Sequence, residues 1–161
     1  KLAQDLLSNM KQCSPIFFEK LVVDLLVKLG YGEFSHKPNI SNPRVTKQSG
    51  DGGIDGVVPQ DKLGLDNVYI QAKRWDKGPV SVGEIQKFAG ALDGVKASKG
   101  VFITTSSFSR DALVYADKIA KNVVLVDGEK LANLMIDHTV AVSISKVYEI
   151  KRVDLDYFSE E

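Results

Sequence analysis

Asp55, Gln71 and Lys73 carry the combination of groups from which chemistry can be built in this chain. A glycine-rich turn delivers the carboxylate, and the amide and ammonium stand two residues apart in the next apolar run, within QSGDGGIDGVVPQDKLGLDNVYIQAKRW, Gln48 to Trp75. On a strand, residues two apart share a face, so Gln71 and Lys73 are neighbours while Val68, Ile70 and Ala72 point the other way. If this strand pairs polar face to polar face with the run from Ile54 to Val58, Asp55 meets both. A hard divalent cation takes oxygen ligands and keeps several waters, so one or two carboxylates with an amide oxygen are adequate for it. The ammonium holds a phosphate oxygen, orients or helps deprotonate an attacking water, and stabilises negative charge on a pentacovalent phosphorus. Phosphodiester cleavage needs that combination. Spacing alone is equally compatible with a plain glycine turn entering an amphipathic strand.

Other residues extend or compete with this cluster. Gly50, Gly52 and Gly53 permit positive φ in a tight bend that exposes Asp55. Asp51, in the same turn, is its rival, although its place before Gly52-Gly53 suits turn formation. At about 100° per residue, Glu19 falls on the helical stripe of Val22, Val23 and Leu26, opposite Lys20, Asp24 and Lys28. A carboxylate facing the core needs a cation or a protonated partner, which makes Glu19 a candidate metal ligand; the alternative is a first-turn acid that bends out to water. Arg74, Lys77, Lys87, Lys96 and Lys99, with Trp75 among them, could line a phosphate-binding groove. Asp76, Glu84 and Asp93 interrupt that stretch, and an ordinary solvated surface explains Lys87, Lys96 and Lys99 as well. Arg74 and Lys77 gain from standing beside the suspected site, Lys47 precedes the glycine turn, and Gln86 is placed on the inner side of a largely apolar helix.

Several familiar signatures are missing. Gly50-x-Gly52-x-x-Asp55 lacks the last glycine of the dinucleotide fingerprint, and no Gly-Lys-Ser/Thr pair follows. His36 and His138 have no ligand-type spacing. The hydroxyls of TTSSFS, Thr104 to Ser109, lack a Gly-x-Ser-x-Gly elbow and read as helix caps.

The elements that must position these groups follow from local signals. Ser14 caps and Pro15 opens a helix that stops at Gly30, after a shorter helix over Lys1 to Lys11. A further strand is expected around Val45, then a hairpin of Ile54 to Val58 and Val68 to Lys73 around the turn Pro59 to Asn67. Ser81-x-x-Glu84 has capping-box form and opens a helix to about Leu92, closed near Gly94. Buried strands at Gly100 to Thr105 and VVLVD alternate with helices at Ser109 to Lys121 and Glu129 to Ile136. The partly alternating tail, Val140 to Val153, is expected to add strands. The order predicts an α/β fold with a mixed central β-sheet flanked by helices on both faces.

Composition bounds the rest. The chain has 161 residues, enough for one compact domain, with 43% hydrophobic and 26% charged residues and a net charge of +0, so an anion site must be local. Lone Cys13 rules out an intramolecular disulfide and a cysteine zinc site, and fits a reducing cytoplasm. No apolar run approaches the roughly 20 residues of a bilayer span, and the amino terminus shows no signal-peptide pattern. The start at Lys1 is read as that of a fragment or processed chain.

Together, Glu19, Asp55 and Gln71-x-Lys73 resemble the PD-(D/E)xK nuclease arrangement. More narrowly, SPIFFEKLVVDLLVKLGYG, GDGGIDG, VYIQAKRW, EIQKFAGAL and KGVFITTSSFS, from about Ser14 to Ile136, resemble the catalytic domain of Mrr-type methylation-dependent restriction endonucleases. The resemblance implies a restriction-endonuclease-like core and a Mg²⁺-dependent endonuclease acting on methylated double-stranded DNA. Its catalytic residues would be Asp55, Gln71, Lys73 and Glu19, with metal at Asp55, Gln71 and Glu19 and DNA contacts from Arg74, Lys77, Lys47 and Gln86. Gln71 stands where the wider superfamily has Asp or Glu, a form expected within Mrr-like proteins. Residues 1–161 are then one catalytic domain, the family's amino-terminal winged-helix DNA reader falling outside it. Cutting two strands calls for a homodimer or higher homo-oligomer. A catalytically silent DNA-binding or assembly module of the same fold, and a nuclease for branched DNA, are the alternatives.

Overall fold

The computed structural model describes residues 1–31, 44–45, 53–61 and 63–159. Two helices open the chain, α1 (Leu2–Gln12) and α2 (Pro15–Lys28). Ser14 Oγ accepts from Phe17 N at 3.2 Å, Pro15 occupies the first turn, and Gly30 reverses the chain at φ +96°. Phe18, Leu21, Val22, Leu25 and Leu26 form the buried stripe of α2.

Five strands build one mixed sheet in sequential order: β1 (Arg44–Val45), β2 (Gly56–Pro59), β3 (Asn67–Lys73), β4 (Lys99–Thr104) and β5 (Asn122–Val126). β1, β2 and β3 pair antiparallel, as short connections allow, and β3, β4 and β5 run parallel because α3 (Val82–Gly94) and α4 (Arg110–Lys118) supply the crossovers. α5 (Gly128–Asp137) follows β5. The α/β expectation is met, including the strand at Val45 and the period-two pattern of β3, whose Val68, Ile70 and Ala72 are buried while Tyr69, Gln71 and Lys73 are half-buried.

Each face of the sheet has its own core. Val58, Val68, Ile70, Ala72, Ile103 and Val126 pack with α1, α2 and α5. Phe102 packs on the other face with Ile85, Phe88 and Leu92 of α3 and Ala112 and Ala116 of α4. Gly100 lets α3 sit close on β4: a Cβ there would lie 2.8 Å from both Leu92 and Phe88 side chains. No helix among the described residues is long and apolar enough to cross a membrane.

Four expectations are corrected. β2 begins at Gly56, so Ile54 lies before the ladder and packs with the α3 and α4 core, while Val58 enters the opposite one. β5 is an edge strand in which only Val126 is buried, and α4 ends at Lys118, before the predicted Lys121. The tail from 142 to 153 forms no strand, since alternation in sequence does not by itself supply a neighbouring strand to pair with.

Candidate active site

The site lies where β2 and β3 part. Their ladder ends at Gly56 opposite Ile70. Beyond it, Asp55 N donates to Ile70 O at 2.7 Å, and Asp55 Oδ2 accepts from Ala72 N at 2.7 Å. The carboxylate thus takes the hydrogen bond that a diverging backbone carbonyl can no longer accept, which fixes its orientation beside Gln71. Gly53, at φ +66°, passes under the Gln71 amide so closely that a Cβ there would stand 2.7 Å from Oε1. Glycine is favoured at this point by its backbone conformation, and its missing side chain leaves the Gln71 amide oxygen room to lie where it does.

Lys73 is on the same face. Its ammonium pairs with the Glu84 carboxylate in the first turn of α3 and lies 4.8 Å from the centre of the Trp75 ring, a cation–π contact. The hydrogen bond and charge of Lys73 hold Glu84 below the ordinary carboxylate range, against the opposing effect of burial. Trp75 is latched in turn by buried Thr105, whose hydroxyl accepts from Trp75 N and donates to Trp75 O, both at 2.9 Å. The ammonium therefore has one partner on α3 and another just beyond β3.

Glu19, on α2, lies within the electrostatic reach of Asp55. Burial, then the nearby Asp55 charge, raises its pKa above that of an ordinary glutamate. Asp55 is raised as well: burial outweighs the Ala72 N–H and the Lys73 charge, which act the other way. Two carboxylates close enough for the charge of one to raise the other's pKa, with the Gln71 amide on the strand beside Asp55, are a set of oxygen donors. That donor chemistry fits a hard cation. Among the described residues no group of three or more His, Cys, Asp or Glu side chains is suited to a metal, so an ion here would rest on Asp55, Glu19, the Gln71 oxygen and water.

The remaining candidates are scattered. Arg74 Nη1 donates to Lys11 O at 2.6 Å, an interaction with the carboxyl end of α1 that gives this side chain a structural task. Lys77 is exposed just beyond β3. Gln86 is exposed, not inward as expected, because Ile85, Phe88 and Ala89 take the buried positions; two residues after Glu84, it lies about 200° around the helix from it. Lys47 and Asp51 lie outside the described residues, as does His36. Lys99 is at the far end of the sheet, bonded to Gln60 Oε1 at 2.8 Å and Asp66 Oδ2 at 3.0 Å, so it shares no groove with Lys73. The turn between β2 and β3 occupies that far end too. His138 caps the end of α5 through its backbone, and Ser109 Oγ caps α4 by accepting from Ala112 N, as its sequence suggests.

Glu84 is the residue whose partnership the sequence misassigns. Ser81-x-x-Glu84 reads as a capping box, but Ser81 makes no side-chain cap bond, and the Glu84 carboxylate turns to Lys73 instead. A first-turn acid near a strand lysine is a weak signal, since both partners have local alternatives.

Comparison with known proteins converges on one family. A family model described as restriction endonuclease, the Mrr catalytic type, matches residues 10–135. The type IV methyl-directed restriction enzyme EcoKMrr of Escherichia coli K12 is 48% identical over 157 residues, covering 98% of this chain and 49% of that protein, so the chain spans about half the length of this relative. Among solved structures, the MspJI restriction endonuclease in complex with a 27-mer oligonucleotide matches with a TM-score of 0.60 and 25% identity, over 86% of this chain and 31% of its own. The DNA modification-dependent restriction endonuclease AspBHI matches with a TM-score of 0.66 and 20% identity, over 86% and 36%. Its likeness is one of fold.

Proposed function

Since the chain belongs to the restriction endonuclease family of the Mrr catalytic type, we propose that it is the catalytic domain of a type IV restriction enzyme. In this reading it hydrolyses phosphodiester bonds in methylated double-stranded DNA with Mg²⁺, in the cytoplasm. Divalent metal use is general in this family. What supports the reading is that the Ala72 N–H holds the Asp55 carboxylate just before β2, that Glu19 and Lys73 are each near enough for their charges to act with that of Asp55, and that Gln71 and Lys73 occupy alternate, same-face positions of β3.

Each side chain has a task there. Asp55, oriented by the Ala72 N–H, and Glu19 supply the anionic oxygens that hold the cation, and Gln71 adds a neutral one. The chemistry supplied by Mg²⁺ when bound is charge neutralisation at a phosphate and acidification of a water. Lys73 holds a non-bridging phosphate oxygen and stabilises the extra negative charge on phosphorus as the water oxygen bonds and the leaving sugar oxygen departs. Glu84 and Trp75 are positioning residues that keep the ammonium aimed between reactions. An amide in place of a third carboxylate lowers the negative charge at the site by one, so the metal site leans on Glu19 and on the DNA phosphates. Lys77, with positive potential from Arg74, contacts the DNA backbone.

The test is nicking and linearisation of methylated and unmethylated supercoiled plasmid, with Mg²⁺ or EDTA, by this chain and its Asp55→Ala variant. Mg²⁺-dependent cutting lost in the variant supports the proposal. Equal cutting in EDTA refutes the metal site, and DNA retention without scission by the folded chain supports a silent module.

A further inference from the structure

Beyond α5, after Val140 is buried against the α2 core, the chain runs out over residues 142–153 without helix or strand. Ile144, Val147, Tyr148, Ile150, Val153 and Leu155 are 68% to 99% exposed. Such a density of solvated β-branched and aromatic side chains marks an interaction surface and favours a pleated backbone. Lys151 Nζ stands 3.7 Å from Glu149 Oε2, so residues two apart already share a side, as on a strand.

What the segment fits is written in its own charges. Laid antiparallel against an identical copy with Ile150 opposite Ile150, Glu149 faces Lys151 and Lys146 faces Asp154, each pair occurring twice by symmetry. In the same register Val147 faces Val153, and the Tyr148 ring faces the Arg152 guanidinium. Centring on Glu149 instead sets Glu149 against itself and Lys146 against Arg152, and centring on Lys151 sets Lys151 against itself. A two-fold interface requires this kind of self-complementarity.

We propose that residues 144–154 form a dimerisation strand, pairing antiparallel with the same segment of a second copy of this chain across a two-fold axis at Ile150. The exposed apolar side chains then stack across the strand pair, and the charges that flank the axis select this register over its neighbours.

The test uses the whole chain in sedimentation equilibrium, with Glu149→Lys, Lys151→Glu and the double exchange. The expected result is a dimer whose dissociation constant rises about tenfold in either single variant, as two facing pairs turn repulsive, and recovers in the double exchange. In a Cys13→Ser background, Ile150→Cys should form an intermolecular disulfide readily, because directly opposite strand residues lie about 4.5 to 5.5 Å apart, whereas Ile144→Cys faces Asp156 and should not. A monomeric chain, single variants that dimerise like the parent, or equal cross-linking at 144 and 150 overturns the proposal; the last points to another surface, such as the outer edge of β5. None of these readouts involves cleavage, so they are independent of the nuclease reading.

Discussion

Gly53→Ala separates what the fold requires at the glycine turn from what the chemistry requires. The residue sits at φ +66°, where a Cβ costs about 1 to 2 kcal/mol, and the added methyl would stand 2.7 Å from Gln71 Oε1. The next atom of the amide, Cδ, is 3.7 Å away, so rotation of the flexible amide end relieves most of the overlap and the stability cost stays near the backbone figure. For a chain of this length that corresponds to a fall in Tm of about 2 to 8 °C. The displaced amide no longer offers its oxygen beside Asp55, so Mg²⁺-dependent plasmid cleavage should fall by tenfold or more while most of the protein stays folded. Combining Gly53→Ala with Gln71→Ala resolves the two effects. The stability losses should add, because the backbone strain persists without the amide, whereas the activity losses should not, because both changes remove the same oxygen. Full additivity in activity, or unchanged cleavage in Gly53→Ala, would show that the Gln71 oxygen plays no part at the reacting centre.

Lys73→Ala and Asp55→Ala should each abolish cleavage while circular dichroism and cooperative unfolding persist; full activity in either refutes the assignment. Because the pKa values of Asp55 and Glu19 are raised in the folded state, their protonated forms favour the metal-free fold: that contribution is complete below their unfolded values, 3.8 and 4.5, and is lost as pH rises through the raised ones. Mg²⁺ should therefore raise Tm more at pH 8 than at pH 5, and an equal shift at both, or none, counts against a carboxylate site. Glu84 has the opposite sign, since its lowered pKa contributes stability above 4.5 that disappears as pH falls through the folded value. Glu84→Gln should cost about 1 kcal/mol at pH 7 and progressively less as pH falls below 4.5, as measured by urea unfolding. Thr105→Val removes two hydrogen bonds to the Trp75 backbone and leaves that backbone unpaired, which should cost about 2 to 4 kcal/mol in the same assay; a loss below 0.5, on the order of a surface substitution, would mean that the latch is replaced by water.

What the sequence determined by itself was whatever depends on neighbours a few residues away. Ser14, Pro15 and Gly30 delimit α2 because caps act within one turn, and alternation in VYIQAK sets Gln71 and Lys73 on one face because the pleat has a period of two. Asp55, Gln71 and Lys73 could be named as a group on those grounds. Tertiary structure decided every choice between two partners. The Glu84 carboxylate could close a capping box or meet Lys73, and the packing of α3 on β3 and β4 settled it by placing an ammonium within reach. Arg74 also ties β3 to the end of α1, whose carbonyl acceptor lies 63 residues away in sequence and is invisible to local reading. Ile54 left the face shared by Val58 because the β2 ladder stops at Gly56, and the alternating tail pairs with no strand among the described residues. Local propensity is a property of consecutive residues, whereas the partner of a charge or a strand edge depends on which distant segments the folded core brings alongside it.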